Sequence, residues 1–250
     1  TRVAPRYPYS ATGVPRFEVE QPYSDPLTIM AFLLASTQRI KLATGVLVLP
    51  YRAPVLTAKI VSTLDYMSEG RVILGIGVGW MEEEFLALGL NTFHERGRVT
   101  NEYIRVFKEL WTKDDPEFQG RYCQFSGIKF HPKPAQKPHT PIWVGGNTPP
   151  AIRRAARLGD GWLPIGSRPP DVLAPAELAQ SISQLRDLTE QAGRPRDAVE
   201  IAFSGDAAFG AAGQAGRHPM SGSAGEIAED IGGYQQVGVR HFRLSFQGDT

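Results

Sequence analysis

A chain of 250 residues, 42% hydrophobic and 21% charged, is the usual size of one large α/β domain or one (β/α)8 barrel. Its 27 basic and 26 acidic side chains leave a net charge of +1, which gives no electrostatic footprint for nucleic acid or an anionic membrane. One cysteine, Cys123, excludes an internal disulfide and a cysteine-based zinc or iron–sulfur site. No apolar run reaches the ~18 residues of a membrane span and no signal peptide is read, so a reduced cytoplasm is the expected location.

Residues 1–24 carry four prolines and no apolar periodicity, which reads as a long loop. Asp25-Pro26 then opens a helix over 25–37 with Leu27, Met30, Ala31 and Leu34 as its buried stripe. The stretch Ile40 to Gly79 organises the chain. An apolar strand (Ile40 to Val48) leads into a helix with Leu56, Ile60, Leu64 and Met67 on one face, then a second strand from Val72 to Val78. That is a βαβ unit with parallel strands. Its strands end in Thr44-Gly45 and in Gly75, Gly77 and Gly79, where bare backbone would admit a ligand at the carboxyl ends.

After Gly79, WMEEEFLALGL predicts a short helix whose Glu82, Glu83 and Glu84 form a solvated first turn, with Glu83 or Glu84 facing a pocket as the alternative. Val99, Tyr103, Val106, Phe107, Leu110 and Trp111 predict one face of the next helix. Residues 117–131 read as an inserted hairpin, followed by a Pro/Lys connector. A strand from Ile142 to Val144 ends at Gly145-Gly146-Asn147 and runs straight into a helix begun by Pro149 and Pro150. This is a phosphate-binding pattern, because helix-start N–H groups point at the ligand. The alternative is a tight turn. A strand at 161–164 ends at Ile165-Gly166-Ser167, and a helix follows over 175–192. Val199 to Phe203 is a strand, residues 205–222 read as a mobile loop or lid, and Ser223 with Glu226 makes a capping box before the last helix. Arg240 to Phe246 is the final strand, the sixth.

The five histidines show no metal-site spacing, so no metal is expected; each reads as a surface or hydrogen-bonded residue rather than a catalyst, with His94 and His131, in loops, as the exceptions to watch. No G-x-S-x-G elbow is present, and Gly75-x-Gly77-x-Gly79 lacks the dinucleotide-binding spacing.

TGVLVLPYRAPVLTAK, STLDYMSEGRVILGIGVGWMEEEF and PIWVGGNTPPAIRRAARLGDGW, in that order, resemble the luciferase-like monooxygenase superfamily. The likeness is to its actinobacterial branch of coenzyme F420-dependent oxidoreductases and runs essentially the whole length. The resemblance implies one domain over 1–250, an α/β fold of (β/α)8 TIM-barrel type with insertions. The first β-α-β and the last helix of that barrel are then missing from the given sequence. It places a non-prolyl cis peptide at Gly45-Val46, after Thr44, behind the cofactor ring. It puts Gly77, Val78 and Gly79 beside the ring or its ribityl chain, Val144, Gly145, Gly146 and Asn147 around the phosphate, and Ile165-Gly166 next along the rim. Some deazaflavin enzymes carry a glutamate where Trp80 stands here, so a sugar-phosphate dehydrogenase assignment does not carry over, and no catalytic residue is identified. The implied function is hydride transfer between coenzyme F420 and a small organic substrate. The alternatives are an FMN-dependent monooxygenase fed by a reductase, and a non-catalytic flavin-binding homologue. A homodimer is the expected assembly.

Overall fold

The computed structural model describes residues 22–168, 171–213 and 216–247, and their contacts divide them into two compact units, 22–144 and 145–247. The loop expected at Tyr7 to Arg16 lies outside the described residues. The first unit contains α1 (Pro26–Ser36), β1 (Leu42–Ala43), β2 (Leu47–Val48), α2 (Pro54–Met67), β3 (Val72–Gly77), α3 (Glu82–Ala87) and α4 (Arg96–Thr112). The short β4 (Phe118–Gln119) and β5 (Gln124–Phe125) follow, then β6 (Ile142–Gly145). β3 pairs in parallel with β1 and β2 and, on its other edge, with β6. The strand expected over 40–48 is thus two short pieces. Between them the chain leaves the extended path, and the Gly45–Val46 peptide is cis, where the resemblance puts it.

Asp25 caps α1 by accepting from the Leu27 and Thr28 N–H groups at 3.1 and 2.9 Å. Leu27, Met30 and Leu34 are buried as expected, whereas Ala31 is exposed. α2 differs more. Its buried face is Thr57, Ala58, Val61, Ser62 and Asp65; Leu56 and Met67 are 61% and 77% exposed, and Ile60 and Leu64 half-buried. Small residues win this face because α4 lies close against it, near enough for the Trp111 indole N–H to donate to the Ala58 carbonyl at 3.1 Å. On α4, Val99, Val106, Phe107, Leu110 and Trp111 are buried as expected; Tyr103 is half-buried, and Thr100 and Ile104 complete the stripe.

The inserted hairpin is shorter than expected, pairing only 118–119 with 124–125. It is fastened to α4 chiefly by Glu102, whose carboxylate accepts from the backbone N–H groups of Arg121, Tyr122 and Cys123 at 2.9, 2.7 and 2.8 Å, while Glu109 accepts from the Glu117 N–H at 3.3 Å and Glu95, just before α4, from the Arg121 guanidinium at 3.1 Å.

The second unit contains α5 (Pro149–Leu158), β7 (Gly161–Leu163), β8 (Ile165–Arg168), β9 (Asp171–Val172), α6 (Pro175–Gln191), β10 (Glu200–Phe209), β11 (Ser221–Gly222), α7 (Ala224–Gln236) and β12 (His241–Gln247). β10 pairs in parallel with β7 and β8 and with β12, so the main strands lie in chain order. Right-handed crossovers between parallel strands in unbroken order place α6 and α7 on the same face of this sheet. Phe203 and Phe242 belong to that face, with their rings 4.3 and 6.5 Å from the Tyr234 ring of α7.

Residues 205–209, expected as loop, extend β10. Further on, Arg217 makes a two-pronged pair with Asp230 at 2.6 and 3.0 Å, and the Met220 N–H donates to the same carboxylate. Glu226 accepts from the Gly213 N–H at 3.0 Å and from the Ser223 N–H and hydroxyl at 2.8 Å each, completing the expected capping box. These donors, led by the Gly213 N–H, hold the Glu226 carboxyl down to about 2, below its ordinary value. A carboxyl lowered on folding contributes its stability above its unfolded value and loses it as pH falls through the folded one. The anchoring of 213 and 223 to α7 is therefore expected to be intact at pH 5 and to loosen between about pH 4.5 and 2. Amide hydrogen exchange of 213–227, compared between wild type and Glu226→Gln across that range, checks it: the variant should lack the pH dependence.

Candidate functional site

In the first unit the relevant backbone lies at the carboxyl ends of β2 and β3. Thr44 is buried and its hydroxyl donates to the Gly75 carbonyl at 2.6 Å; Gly45 and Val46 are exposed, Val46 by 39%. The glycines of β3 make room for this neighbour. A Cβ on Gly75 would stand 1.9 Å from the Thr44 carbonyl oxygen, and one on Gly77 would stand 2.7 Å from Val46 Cγ2. Gly79, at φ +83°, would meet Phe85 and Val48 at 2.9 Å. Gly75 and Gly77, the last two alternate positions of β3, are thus bare where the adjoining strand needs the space, a packing reason for glycine beside the expectation that these residues admit a ligand. The surface left at the strand end is the Val46 side chain lying on Gly77.

A brace holds the turn that follows. The Arg96 guanidinium donates to the Gly79 carbonyl at 3.1 Å and the Phe93 carbonyl at 2.8 Å and sits 4.1 Å over the Phe93 ring. Tyr51 donates to Glu84 at 2.5 Å and meets Phe85 edge-on at 4.9 Å. Burial first, then the hydrogen bond to Glu84 and its charge, push the Tyr51 phenol well above its usual range, so it remains a donor. Glu82, Glu83 and Glu84 are all exposed, as the solvated-turn reading requires; Glu84 takes the Tyr51 hydroxyl and Glu82 lies 3.5 Å from the His94 imidazole. His94 is exposed beside Glu82, and His131 is exposed with its carbonyl accepting from Lys59. Among the described residues no cluster of His, Cys, Asp and Glu could hold a metal.

In the second unit Gly146 adopts φ +108°, its N–H donates to the Leu163 carbonyl at 3.3 Å, and its carbonyl accepts from the Trp162 indole at 2.9 Å. The start of α5 offers fewer donors than its pattern implies. Pro149 and Pro150 have no N–H, and the Ala151 and Ile152 N–H groups both reach the Thr148 carbonyl, at 2.8 and 3.1 Å. An anion here would meet the 147–148 backbone instead of the first helical turn.

Asn147 spends its amide on the neighbouring strand: Oδ1 accepts from the Ile165 N–H at 2.8 Å and Nδ2 donates to the Ile165 carbonyl at 2.7 Å. This bracket sets the spacing between the glycine turn and the start of β8. Asn147→Ala is expected to cost about 2 kcal/mol. Asn147→Asp puts a carboxylate against the Ile165 carbonyl, which raises that carboxyl's folded pKa. Its stability should accordingly be better than the alanine variant's below about pH 4 and worse at pH 7. Denaturant titrations of both variants at the two pH values read the crossover. Gly166, named with Ile165 on the rim, has a packing reason to be glycine, since its Cβ would lie 2.0 Å from the Phe203 ring.

Sequence reading missed the opposite face of β10 and β12. Side chains alternate along a strand, so with Phe203 and Phe242 against α7, Ser204, Asp206, Arg243 and Ser245 lie on the helix-free face. The signal was available as the Ser204-x-Asp206 and Arg243-x-Ser245 alternation, but it needed the strand register.

A sequence profile of luciferase-like monooxygenases matches residues 9–220. The chain belongs to the luciferase-like monooxygenase family. An uncharacterized protein of Mycobacterium tuberculosis is 35% identical over 189 residues, covering 76% of this chain and 62% of that one. The FMNH(2)-dependent dimethylsulfone monooxygenase of Pseudomonas putida is 34% identical over 145 residues, 57% of this chain and 40% of the enzyme. The matches thus span less than two thirds of these relatives' lengths. The solved structure of an F420-dependent secondary alcohol dehydrogenase, in complex with an F420–acetone adduct, superimposes with a TM-score of 0.76 at 18% identity, over 92% of this chain and 81% of that one. The fold is therefore the α/β fold of the luciferase-like barrels, with its parallel strands in chain order, as expected. Luciferase-like proteins include both deazaflavin- and FMN-dependent enzymes. Among the described residues no helix is long and apolar enough to cross a membrane.

Proposed function

We propose that this luciferase-like chain is an oxidoreductase that moves a hydride between the deazaflavin coenzyme F420 and a small organic substrate in the cytoplasm. The observation that carries this reading is the apolar ledge of the first unit, where the half-exposed Val46 side chain lies on Gly77 at the carboxyl ends of β2 and β3. A ledge without charge suits the face of a planar tricyclic ring. Thr44, Gly45, Val46, Gly77, Val78 and Gly79 would hold the ring from this unit. Val144, Gly145, Gly146, Asn147, Ile165 and Gly166 are proposed for the phosphate and the rim, Asn147 by fixing Ile165. The cofactor supplies the hydride chemistry; the chain's own residues bind, orient and exclude water.

The relative from Pseudomonas putida favours a second reading, an FMN-dependent monooxygenase that receives reduced flavin from a partner reductase. Fluorescence titration of the purified protein with oxidised F420 and with FMN separates the two. Submicromolar binding of F420 with at least tenfold weaker FMN supports the first reading, and the reverse order supports the second. A folded protein that binds neither overturns both and leaves the non-catalytic homologue.

We also infer a homodimer through α1 and α2, whose Phe32, Leu56 and Met67 are 69%, 61% and 77% exposed. Phe32→Asp with Met67→Asp is expected to convert the dimer to monomer in sedimentation velocity; an unchanged sedimentation coefficient would refute this interface.

A further inference from the structure

The helix-free face of β10 and β12 carries chemistry that the cofactor reading does not use. In barrels of this kind that face is ordinarily packed with branched apolar side chains. Here it presents Ser204, Asp206, Arg243 and Ser245, and the registers Ser204↔Arg243 and Asp206↔Ser245 set them as two adjacent polar pairs. Arg243 donates from Nη1 to the Ser204 hydroxyl at 2.8 Å. Ser204 is 5% exposed and Arg243 exposed, so a buried hydroxyl steadies a guanidinium that solutes can reach. Ser204 is also the register partner of Ile165, the residue bracketed by Asn147. The cation therefore stands level with the rim residues of the same unit.

We propose that Arg243, steadied by Ser204, is an anion-recognising residue of the site: it takes a carboxylate, sulfonate or phosphate group of the bound small molecule. A planar guanidinium with several donors matches such a group in two-pronged fashion, and a serine hydroxyl at one nitrogen fixes its plane. The proposal rests on the oxidoreductase reading for its setting, and it narrows the substrates to anionic ones. The anion can belong to the substrate or to the cofactor's phosphate, and these sources predict different losses.

The test uses the full chain and the variants Arg243→Gln, Arg243→Lys and Ser204→Ala, with melting curves to establish folding. Cofactor titrations come first. If the wild type binds neither F420 nor FMN, the oxidoreductase reading fails by itself, and the arms below still decide the role of Arg243. Hexanoate, hexanamide and inorganic phosphate are then titrated calorimetrically, into cofactor-loaded protein where a cofactor binds and into the free protein otherwise. Arg243→Gln is expected to weaken hexanoate about tenfold to a hundredfold with hexanamide unchanged. Arg243→Lys should recover part of that loss, and Ser204→Ala should lose about threefold. If cofactor affinity falls tenfold in Arg243→Gln while hexanoate is unaffected in loaded protein, the anion is the cofactor's phosphate. Equal hexanoate, phosphate and cofactor affinities in wild type and Arg243→Gln, or no anion binding by the wild type at millimolar concentration, would overturn the proposal.

Discussion

Gly75→Ala is expected to destabilise the protein by about 3–4 kcal/mol and lower its melting temperature by about 10 °C. The new Cβ would fall 1.9 Å from the Thr44 carbonyl oxygen, an overlap with backbone that no side-chain rotation relieves. Thr44 cannot retreat cheaply, because it is buried and its hydroxyl is committed to the Gly75 carbonyl. Gly166→Ala provides the contrast. Its Cβ would meet the Phe203 ring at 2.0 Å, and a ring can be trimmed, so Phe203→Leu should restore part of the stability lost in Gly166→Ala. No single side-chain truncation should rescue Gly75→Ala. Denaturant titrations of Gly75→Ala, Gly166→Ala, Phe203→Leu and the Gly166→Ala/Phe203→Leu double variant decide it, and a Gly75→Ala cost below about 1 kcal/mol would show that the two strands separate easily.

Asp65→Ala is expected to cost about 3 kcal/mol, although Asp65 is not among the residues proposed to hold a ligand. It is fully buried in α2, and its carboxylate accepts from the Gln136 backbone N–H at 3.0 Å and the Gln136 side-chain amide at 2.6 Å. That amide also donates to the Val72 carbonyl at 2.7 Å, so one glutamine ties the connector to α2 and to β3. Removing the carboxylate leaves the Gln136 N–H without its acceptor in a buried place. Gln136→Ala should cost about 2 kcal/mol by breaking the same bonds from the other end. The double variant should then cost about 3 kcal/mol and not the sum, a coupling of about 2 kcal/mol. Additive losses would mean that Asp65 is held by something other than Gln136.

Much of the architecture was legible in the sequence because it follows from periodicity and caps. Asp25-Pro26 and Ser223 with Glu226 mark helix starts that the structure retains, and alternation of apolar runs with amphipathic segments gave the parallel order. Periodicity failed on α2, where it found the stripe Leu56, Ile60, Leu64 and Met67. An apolar stripe states only that some surface will cover it, and here the face with the small residues is the one that meets the core. The β3 glycines were read correctly as a special segment and for an incomplete reason: their partners are Thr44, Val46 and Val48, residues some 30 positions earlier whose approach no local pattern reveals. Gly145-Gly146 and the two prolines that follow looked like one phosphate signal, but proline at both opening positions withholds the donors that signal presupposes. Arg243 escaped notice because its side of β12 is defined only by where Phe242 packs.

The hairpin at 118–125 is joined to α4 through the three N–H groups gathered by Glu102, and Gly120 leaves space for that carboxylate, since a Cβ there would lie 2.3 Å from Oε1. Such an attachment behaves as a snap fastener. Its parts are local, an acidic residue on the helix and a bare position beside three consecutive donors, with Glu95 and Glu109 adding one link each to Arg121 and Glu117, and the sheet takes no part in them. Segments of other lengths and compositions can be grafted between the two halves of the fastener, which makes this the place where the scaffold can acquire new surface without redesign of its strands.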